Sequence, residues 1–175
     1  MTTPNVAAFL TMVAHSEGVD QVRDASGALV DPYRVCYGKR HIIQDLNWHP
    51  HEVRLDGTRE WAGEGLKDEY CIKLGLKPGC VSTAAGRYQI TCPTWLGWKN
   101  VLQLNDFGKT AQDDVAVQIL KKQGALELVN VGRLEDAIER CHPIWASLPG
   151  STSGQPQTPL ATLLRAYTEA GGEFA

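Results

Sequence analysis

The sequence predicts an α+β fold that is predominantly helical, with a small β-hairpin lobe and a helical lobe. Apolar residues recur at helical spacing near the amino terminus and again through most of the second half of the chain. Between these parts, residues 20–50 lose that periodicity and are interrupted by glycines and prolines. A chain of 175 residues, 43% of them hydrophobic, can bury one core, so we expect a single domain over residues 1–175. A cleft between two lobes is a natural place for a binding site.

The first helix is expected over residues 4–16. Thr3 is a good N-cap, and Pro4 suits the first turn because the amide hydrogen that proline lacks would be unpaired there. Gly18 is suited to end the helix. The apolar side chains that follow helical spacing are Val6, Phe9, Leu10 and Val13.

The irregular middle of the chain is expected to hold the β lobe. Two short runs, residues 33–37 and 41–43, have the composition of hairpin strands. The part that follows, residues 52–79, is polar and rich in glycine, and a short helix fits around residues 65–74.

Helical patterns return after Pro93. A helix that ends near Leu104 would carry an apolar stripe, and we expect its tryptophans to belong to the core. That stripe consists of Trp95, Leu96, Trp98, Val101 and Leu102. Thr110 and Asp113 resemble a capping box for a helix that ends at Gly124. Another stripe spans residues 134–141, and a last helix begins at residues 158–159 and ends at residues 171–172.

Composition disfavours two classes of function. The formal net charge of −3 lacks the basic excess of a nucleic-acid binder. No apolar run reaches the length of a membrane span. Residues 6–14 are apolar, but no basic residue precedes them and no clean cleavage site follows, so we interpret them as part of the fold rather than as a signal peptide. The chain is therefore expected to stay in the cytoplasm unless something else exports it.

The five cysteines are widely and irregularly spaced. None forms a C-x-x-C pair, and an odd number does not suit a complete disulfide framework, so free or buried thiols are the plain interpretation. Cys71 and Cys80 flank a short turn, which leaves a disulfide between them open. His49, His51 and Glu52 form a weak zinc pattern, since they lack an H-E-x-x-H helix.

Glu17 is the candidate catalytic acid. It follows Val13 by four positions and Leu10 by seven, so a continuing helix would turn it toward the interior. Desolvation and the negative end of the helix dipole would both raise its pKa. A carboxylic acid that keeps its proton near neutral pH is what a glycosidic leaving group requires. The alternative is a solvent-facing glutamate at a helix end.

Residues 82–89 read Ser-Thr-Ala-Ala-Gly-Arg-Tyr-Gln and precede a helix. Small residues let a ligand approach the backbone closely, and Tyr88 and Gln89 can stack on and hydrogen-bond to a sugar ring. The alternative is a turn that packs Tyr88 into the core and uses Gln89 to bind a loop carbonyl. For Arg87 we favour a structural role over a contact with a peptide stem.

Taken together with Glu17, these residues resemble the phage lambda endolysin family. Residues 9–18 (Phe-Leu-x-Met-x-Ala-x-Ser-Glu-Gly) and residues 82–89 carry the resemblance. Three further blocks, at residues 112–126, 137–150 and 169–172, follow in the same order over almost the whole chain.

The resemblance implies a lysozyme-like fold, with two lobes flanking a substrate cleft, and a peptidoglycan lytic transglycosylase. Such enzymes cut the MurNAc-β-1,4-GlcNAc bond without water, because the MurNAc C6 hydroxyl attacks its own C1 and leaves a 1,6-anhydro end. Glu17 matches the catalytic acid, and no cofactor or metal is implied. The candidate substrate-binding residues are Ser82, Thr83, Tyr88, Gln89 and Trp145.

The resemblance also implies a host-lysis enzyme that waits in the host cytoplasm and reaches the periplasm through holin action. We expect a monomer that binds peptidoglycan glycan strands, without nucleic-acid binding or stable membrane insertion. Two departures stand out. His15 occupies a position where the phage lambda enzyme carries Trp, and residues 56–79 form a possible insertion of open function.

Two rival functions remain at this point. A hydrolytic muramidase would cut the same bond with water, normally with a second carboxylate at a defined separation. Four carboxylates lie in the part of the chain where a second catalytic group is expected, but none belongs to a motif; they are Asp31, Asp45, Glu52 and Asp56. Their lack of a motif favours a mechanism with one carboxylate. The other rival is a non-catalytic wall-binding module or phage structural protein.

Overall fold

The computed structural model describes residues 2–175, which form seven α-helices, a single turn of 3-10 helix and one two-stranded sheet. The helices are α1 (Pro4–Ser16), α2 (Asp68–Lys73), α3 (Cys92–Leu102), α4 (Lys109–Lys122), α5 (Leu126–Asn130), α6 (Leu134–Cys141) and α7 (Leu160–Glu169). The sheet pairs β1 (Glu64–Gly65) with β2 (Val81–Ser82) in antiparallel register. In the described residues, no helix is long and apolar enough to cross a bilayer. The predicted predominance of helix over a small β region is confirmed.

The chain divides into two compact units. The first, here called the helical unit, comprises the residues up to 21 and residues 113–175. The second, here called the central unit, comprises residues 22–112.

Helix α1 organises the core of the helical unit. Thr3 caps it, since its Oγ1 accepts a hydrogen bond from Val6 N, and Pro4 opens the first turn. Its bounds are the predicted ones. Gly18 follows the helix with a φ of 64°, a left-handed conformation that glycine adopts without a steric penalty. The apolar face of α1 packs on α5 and α7, and it buries Phe9 and Met12 completely.

The predicted hairpin of residues 33–37 and 41–43 is wrong in its extent. Pro32–Arg34 form a 3-10 turn instead, because the Asp31 carboxylate accepts the Tyr33 N–H and Pro32 fixes φ at the first position. Only an isolated antiparallel bridge joins Val35 to Ile42. The two strands of the sheet lie later in the chain, on either side of α2. Helix α2 itself confirms the short helix expected around residues 65–74.

The boundaries and faces of α3 and α4 also differ from expectation. Helix α3 ends at Leu102, two residues earlier than expected, because Gln103 adopts a left-handed φ of 54°. Trp95 is buried as predicted, but Trp98 is only half-buried, and Val101 is 69% exposed. Helix α4 already begins at Lys109, so Thr110 lies inside its first turn and is not its N-cap.

The helices that follow α4 were predicted in part. Helix α5, only five residues long, was not predicted because so short a segment carries no clear periodicity. Helices α6 and α7 lie where the stripes indicated.

Two cysteines form the disulfide that the sequence had left open beside the interpretation as free thiols. Cys71, in α2, is bonded to Cys80, which directly precedes β2. The bridge ties the exposed residues 72–79 into a loop. Cys36, Cys92 and Cys141 are free and buried, and burial raises the pKa of each thiol. These three thiols are therefore core residues with little reactivity.

Candidate active site

Glu17 lies at the carboxyl end of α1, where the helix dipole is negative. It is the C-cap residue, its N–H donates to Val13 O at 2.9 Å, and its side chain is half-buried. Glu17 Oε1 accepts a hydrogen bond of 2.7 Å from the hydroxyl of Ser147. The Ser147 oxygen in turn accepts one of 2.7 Å from Ser16. The candidate acid is thus held by two hydroxyls in series.

Ser147 lies in a turn that follows α6. Trp145 and Leu148, on either side of it, are buried and anchor the turn, which a 3.0 Å bond from Leu148 N to Trp145 O closes. Ser147 O also accepts the Thr158 N–H at 2.8 Å. Ser147 itself is only 8% exposed. In the sequence, Ser147 and Trp145 lie in the same family block, which fits a turn as well as a site, and no specific role for Ser147 follows from it.

His15 contacts a partner other than Glu17. Its Nδ1 lies 2.8 Å from Asp20 Oδ2, across the turn that follows α1. Residues two apart on a helix point to nearly opposite sides, so the His15 side chain leaves α1 away from that of Glu17. His15, the first of the two departures from the family pattern, therefore links the end of α1 to Asp20 across the turn that contains Glu17.

Three candidate substrate-binding residues of the central unit are half-exposed and fixed by backbone contacts. Ser82 Oγ accepts the Ala84 N–H at 3.3 Å, and Thr83 Oγ1 accepts the Cys92 N–H at 3.0 Å. Gln89 Nε2 donates to the carbonyls of Val35 and Gly86, both at 3.0 Å, which is the structural bond that the sequence left as its alternative. Backbone groups thus hold all three polar side chains in place.

The other two candidates are packed inside their units. Tyr88 is 1% exposed and meets the Tyr33 ring edge to face, while Trp145 is 2% exposed. Neither ring has an open face on which a sugar could stack. Arg87 has the structural role that we favoured, since its Nη1 donates to Tyr33 Oη at 2.7 Å and its guanidinium covers the Tyr33 ring.

Gln112 fixes the backbone of residues 82–89, a role that the sequence did not reveal. Its side chain is completely buried, and its Nε2 donates to the carbonyls of Tyr33 and Phe107. Its Oε1 accepts the Arg87 N–H at 2.9 Å. The amide reaches this position beside Gly86, where no side chain stands in the way.

The four carboxylates considered as a second catalytic group each serve a contact within the central unit. Asp31 pairs with Lys109 at 2.8 Å, and Asp45 lies 3.3 Å from Arg54. Glu52 accepts from Trp95 Nε1 and from Lys99, and Asp56 accepts the hydroxyl and N–H of Thr58.

The histidines of the weak zinc pattern have structural partners too. His49 Nε2 donates to Ile90 O at 3.0 Å, and His49 Nδ1 accepts the His51 N–H at 3.2 Å. These bonds define a neutral imidazole with its hydrogen on Nε2. Among residues 2–175, no three His, Cys, Asp or Glu side chains converge in a way that would hold a metal ion.

We predict that His49 makes stability depend on pH between about 6.5 and 4. Burial lowers its pKa from 6.5 to about 4, so below pH 6.5 the unfolded chain takes up a proton that the folded chain does not. The free energy of unfolding should fall by about 3 kcal/mol across this window as pH decreases. Urea unfolding at several pH values measures it. His49→Gln, which keeps a donor for Ile90 O, should flatten that part of the curve, and an unchanged slope in the variant would contradict the assignment.

Comparison with known proteins finds relatives that match nearly the whole chain. The family model described as Endolysin matches residues 7–174. The endolysin of Escherichia phage P2 is 36% identical over 171 residues, which are 98% of this chain and 95% of the relative. The endolysin of Escherichia phage lambda is 35% identical over 165 residues, covering 94% and 90%.

Solved structures show the same fold. Bacteriophage lambda lysozyme complexed with a chitohexasaccharide matches with a TM-score of 0.77 and 32% identity, covering 100% of this chain and 99% of that one. A second structure of lysozyme from bacteriophage lambda matches with a TM-score of 0.73 and 31% identity, at the same coverage. The lysozyme-like fold implied by the sequence is confirmed.

Proposed function

Since the chain belongs to the endolysin family, whose members degrade peptidoglycan for host lysis, we propose that it is a lytic transglycosylase. Its substrate is the MurNAc-β-1,4-GlcNAc bond, and its product is a 1,6-anhydro-MurNAc end. One observation carries this choice of mechanism. Glu17 is hydrogen-bonded to a neutral hydroxyl, whereas the four carboxylates considered as a second catalytic group make structural contacts.

One carboxylate suffices for this reaction because the attacking group is part of the substrate. Glu17 donates its proton to the glycosidic oxygen as the bond from that oxygen to C1 breaks. The MurNAc O6 then bonds to C1, and its proton returns to the Glu17 carboxylate. No water is consumed, and the acid is regenerated. Tethering of the nucleophile supplies the proximity that a hydrolase gains by positioning water.

Ser82, Thr83 and Gln89 are the proposed polar contacts of the glycan. Gln89 would use its Oε1 as an acceptor, since its Nε2 is bound to backbone carbonyls. Tyr88 and Trp145 would support the site from within the core. Glycan binding is favoured by the lambda lysozyme structure, which is complexed with a chitohexasaccharide. We propose further that the protein passes from the host cytoplasm to the periplasm through holin action and acts there as a monomer.

Mass spectrometry of digested, purified peptidoglycan tests the mechanism. Transglycosylation predicts muropeptides that are one water lighter per cut than hydrolysis products, with no reducing MurNAc end. Hydrated ends from the purified enzyme would replace the proposal with a hydrolytic muramidase. A protein that leaves both the glycan strands and the turbidity of permeabilised Gram-negative cells unchanged would be a wall-binding module.

A further inference from the structure

We propose that Ser147, oriented by Ser16, is the positioning residue that stabilises the Glu17 carboxylate left behind when the acid gives up its proton. This inference rests on the proposed function of Glu17 as a proton donor. It concerns the hydroxyls of Ser16 and Ser147, which form a chain of two hydrogen bonds to Glu17 within the helical unit.

The two hydrogen bonds have one consistent direction when Glu17 is ionised. The Ser147 oxygen accepts from Ser16 at 2.7 Å, and its own hydrogen points to Glu17 Oε1, also at 2.7 Å. A carboxylate oxygen only accepts hydrogen bonds, so the Ser147 hydroxyl must donate to Glu17, and the Ser147 oxygen accepts from Ser16. Both hydroxyl hydrogens therefore point along this chain toward the carboxylate that proton transfer leaves behind.

The same bond acts on the rate of the reaction. As Glu17 gives up its proton it changes from a neutral acid to a carboxylate, and a hydroxyl binds a charged acceptor more strongly than a neutral one. The bond from Ser147 is consequently stronger in the transition state than in the ground state. An interaction of that kind raises kcat and leaves substrate binding nearly unchanged.

The placement of Ser147 is rigid enough for this role. Trp145 and Leu148 are buried on either side of it, and its carbonyl is tied to Thr158 N. Thr158 Oγ1 also makes a long contact of 3.4 Å with Ser16 O, so both serines are held by the same residue. Because Ser147 is almost fully buried, water does not readily replace its hydroxyl when the side chain is removed.

The test is a double-mutant cycle on purified protein, with kcat and KM measured on solubilised glycan strands. Ser147→Ala should lower kcat by about 10- to 100-fold with KM changed by less than about twofold. Ser147→Thr, which keeps the hydroxyl, should restore most of the loss. Ser16→Ala should cost less, about 3- to 10-fold, and Ser16→Ala with Ser147→Ala should be no slower than Ser147→Ala alone, because Ser16 acts through Ser147.

The control is Ser151→Ala, which removes a half-buried hydroxyl that bonds to Ser153 within its own loop and should keep the parent kcat. Additive losses in the double variant, or an effect on KM alone, would overturn the proposal. Full activity of Ser147→Ala beside an inactive Glu17→Gln would overturn it while leaving the proposed function intact. Full activity of Glu17→Gln would reject Glu17 as the proton donor, on which the proposed mechanism rests.

Discussion

Glu17→Gln should lower the rate of peptidoglycan cleavage by about two to four orders of magnitude, the usual contribution of a general acid–base group. Glutamine has nearly the shape of glutamic acid, and its Oε1 can still accept the hydrogen bond from Ser147. It has no acidic proton to give to the glycosidic oxygen. The variant should therefore fold and bind glycan like the parent while losing the chemical step.

Turbidity assays on permeabilised cells and product analysis on purified peptidoglycan measure this loss, and thermal unfolding verifies the fold. Glu127→Gln is a suitable control, because it neutralises an exposed carboxylate on α5 of the same unit. It should keep full activity. If Glu17→Gln cleaves at the parent rate, Glu17 is not the acid.

Gly86→Ala should destabilise the protein by about 3 to 5 kcal/mol, the largest effect on stability that we predict. Gly86 has a φ of 76°, and an added Cβ would lie 2.0 Å from Gln112 Oε1. The buried Gln112 amide cannot swing aside without leaving several backbone groups unpaired. Those groups are the Arg87 N–H and the carbonyls of Tyr33 and Phe107.

Gly57→Ala separates the clash from the backbone strain. Gly57 has a similar φ of 80°, but an added Cβ would meet nothing within 4 Å, so its cost should be only about 1 to 2 kcal/mol. Urea unfolding of both variants gives the difference. In a protein that already carries Gln112→Ala, Gly86→Ala should cost no more stability than Gly57→Ala does. Equal losses of stability in the two single glycine variants would exclude the clash.

Helical segments with a wide apolar face were predictable from local sequence. Helix α1 has an N-cap, a proline in its first turn, a regular apolar stripe and a terminating glycine, and its bounds agree with the prediction. The faces of α3 were not predictable in the same way. Leu96 and Val101 belong to its apolar pattern, yet they are 41% and 69% exposed, because burial depends on which other elements cover a face.

The β region depended on distant contacts for the same reason. Its two strands are only two residues long and are separated by α2 and the loop that Cys71 and Cys80 close. A strand of two residues has no readable alternation, and pairing of two cysteines depends on how closely the fold brings them together. Neither feature could be derived from the residues by themselves.

The sequence by itself determined the predominantly helical class, the position of Glu17 at the end of α1 and, through ordered blocks of residues, the family. These features depend on local spacing and on residue identity, which the linear chain carries in full. Only the tertiary structure decided what surrounds Glu17. Ser147 lies 130 positions away along the chain, and its hydroxyl reaches Oε1 because Trp145 and Leu148 pack its turn into the core of the helical unit. A hydrogen bond between such distant residues requires a particular fold, and no local pattern encodes it.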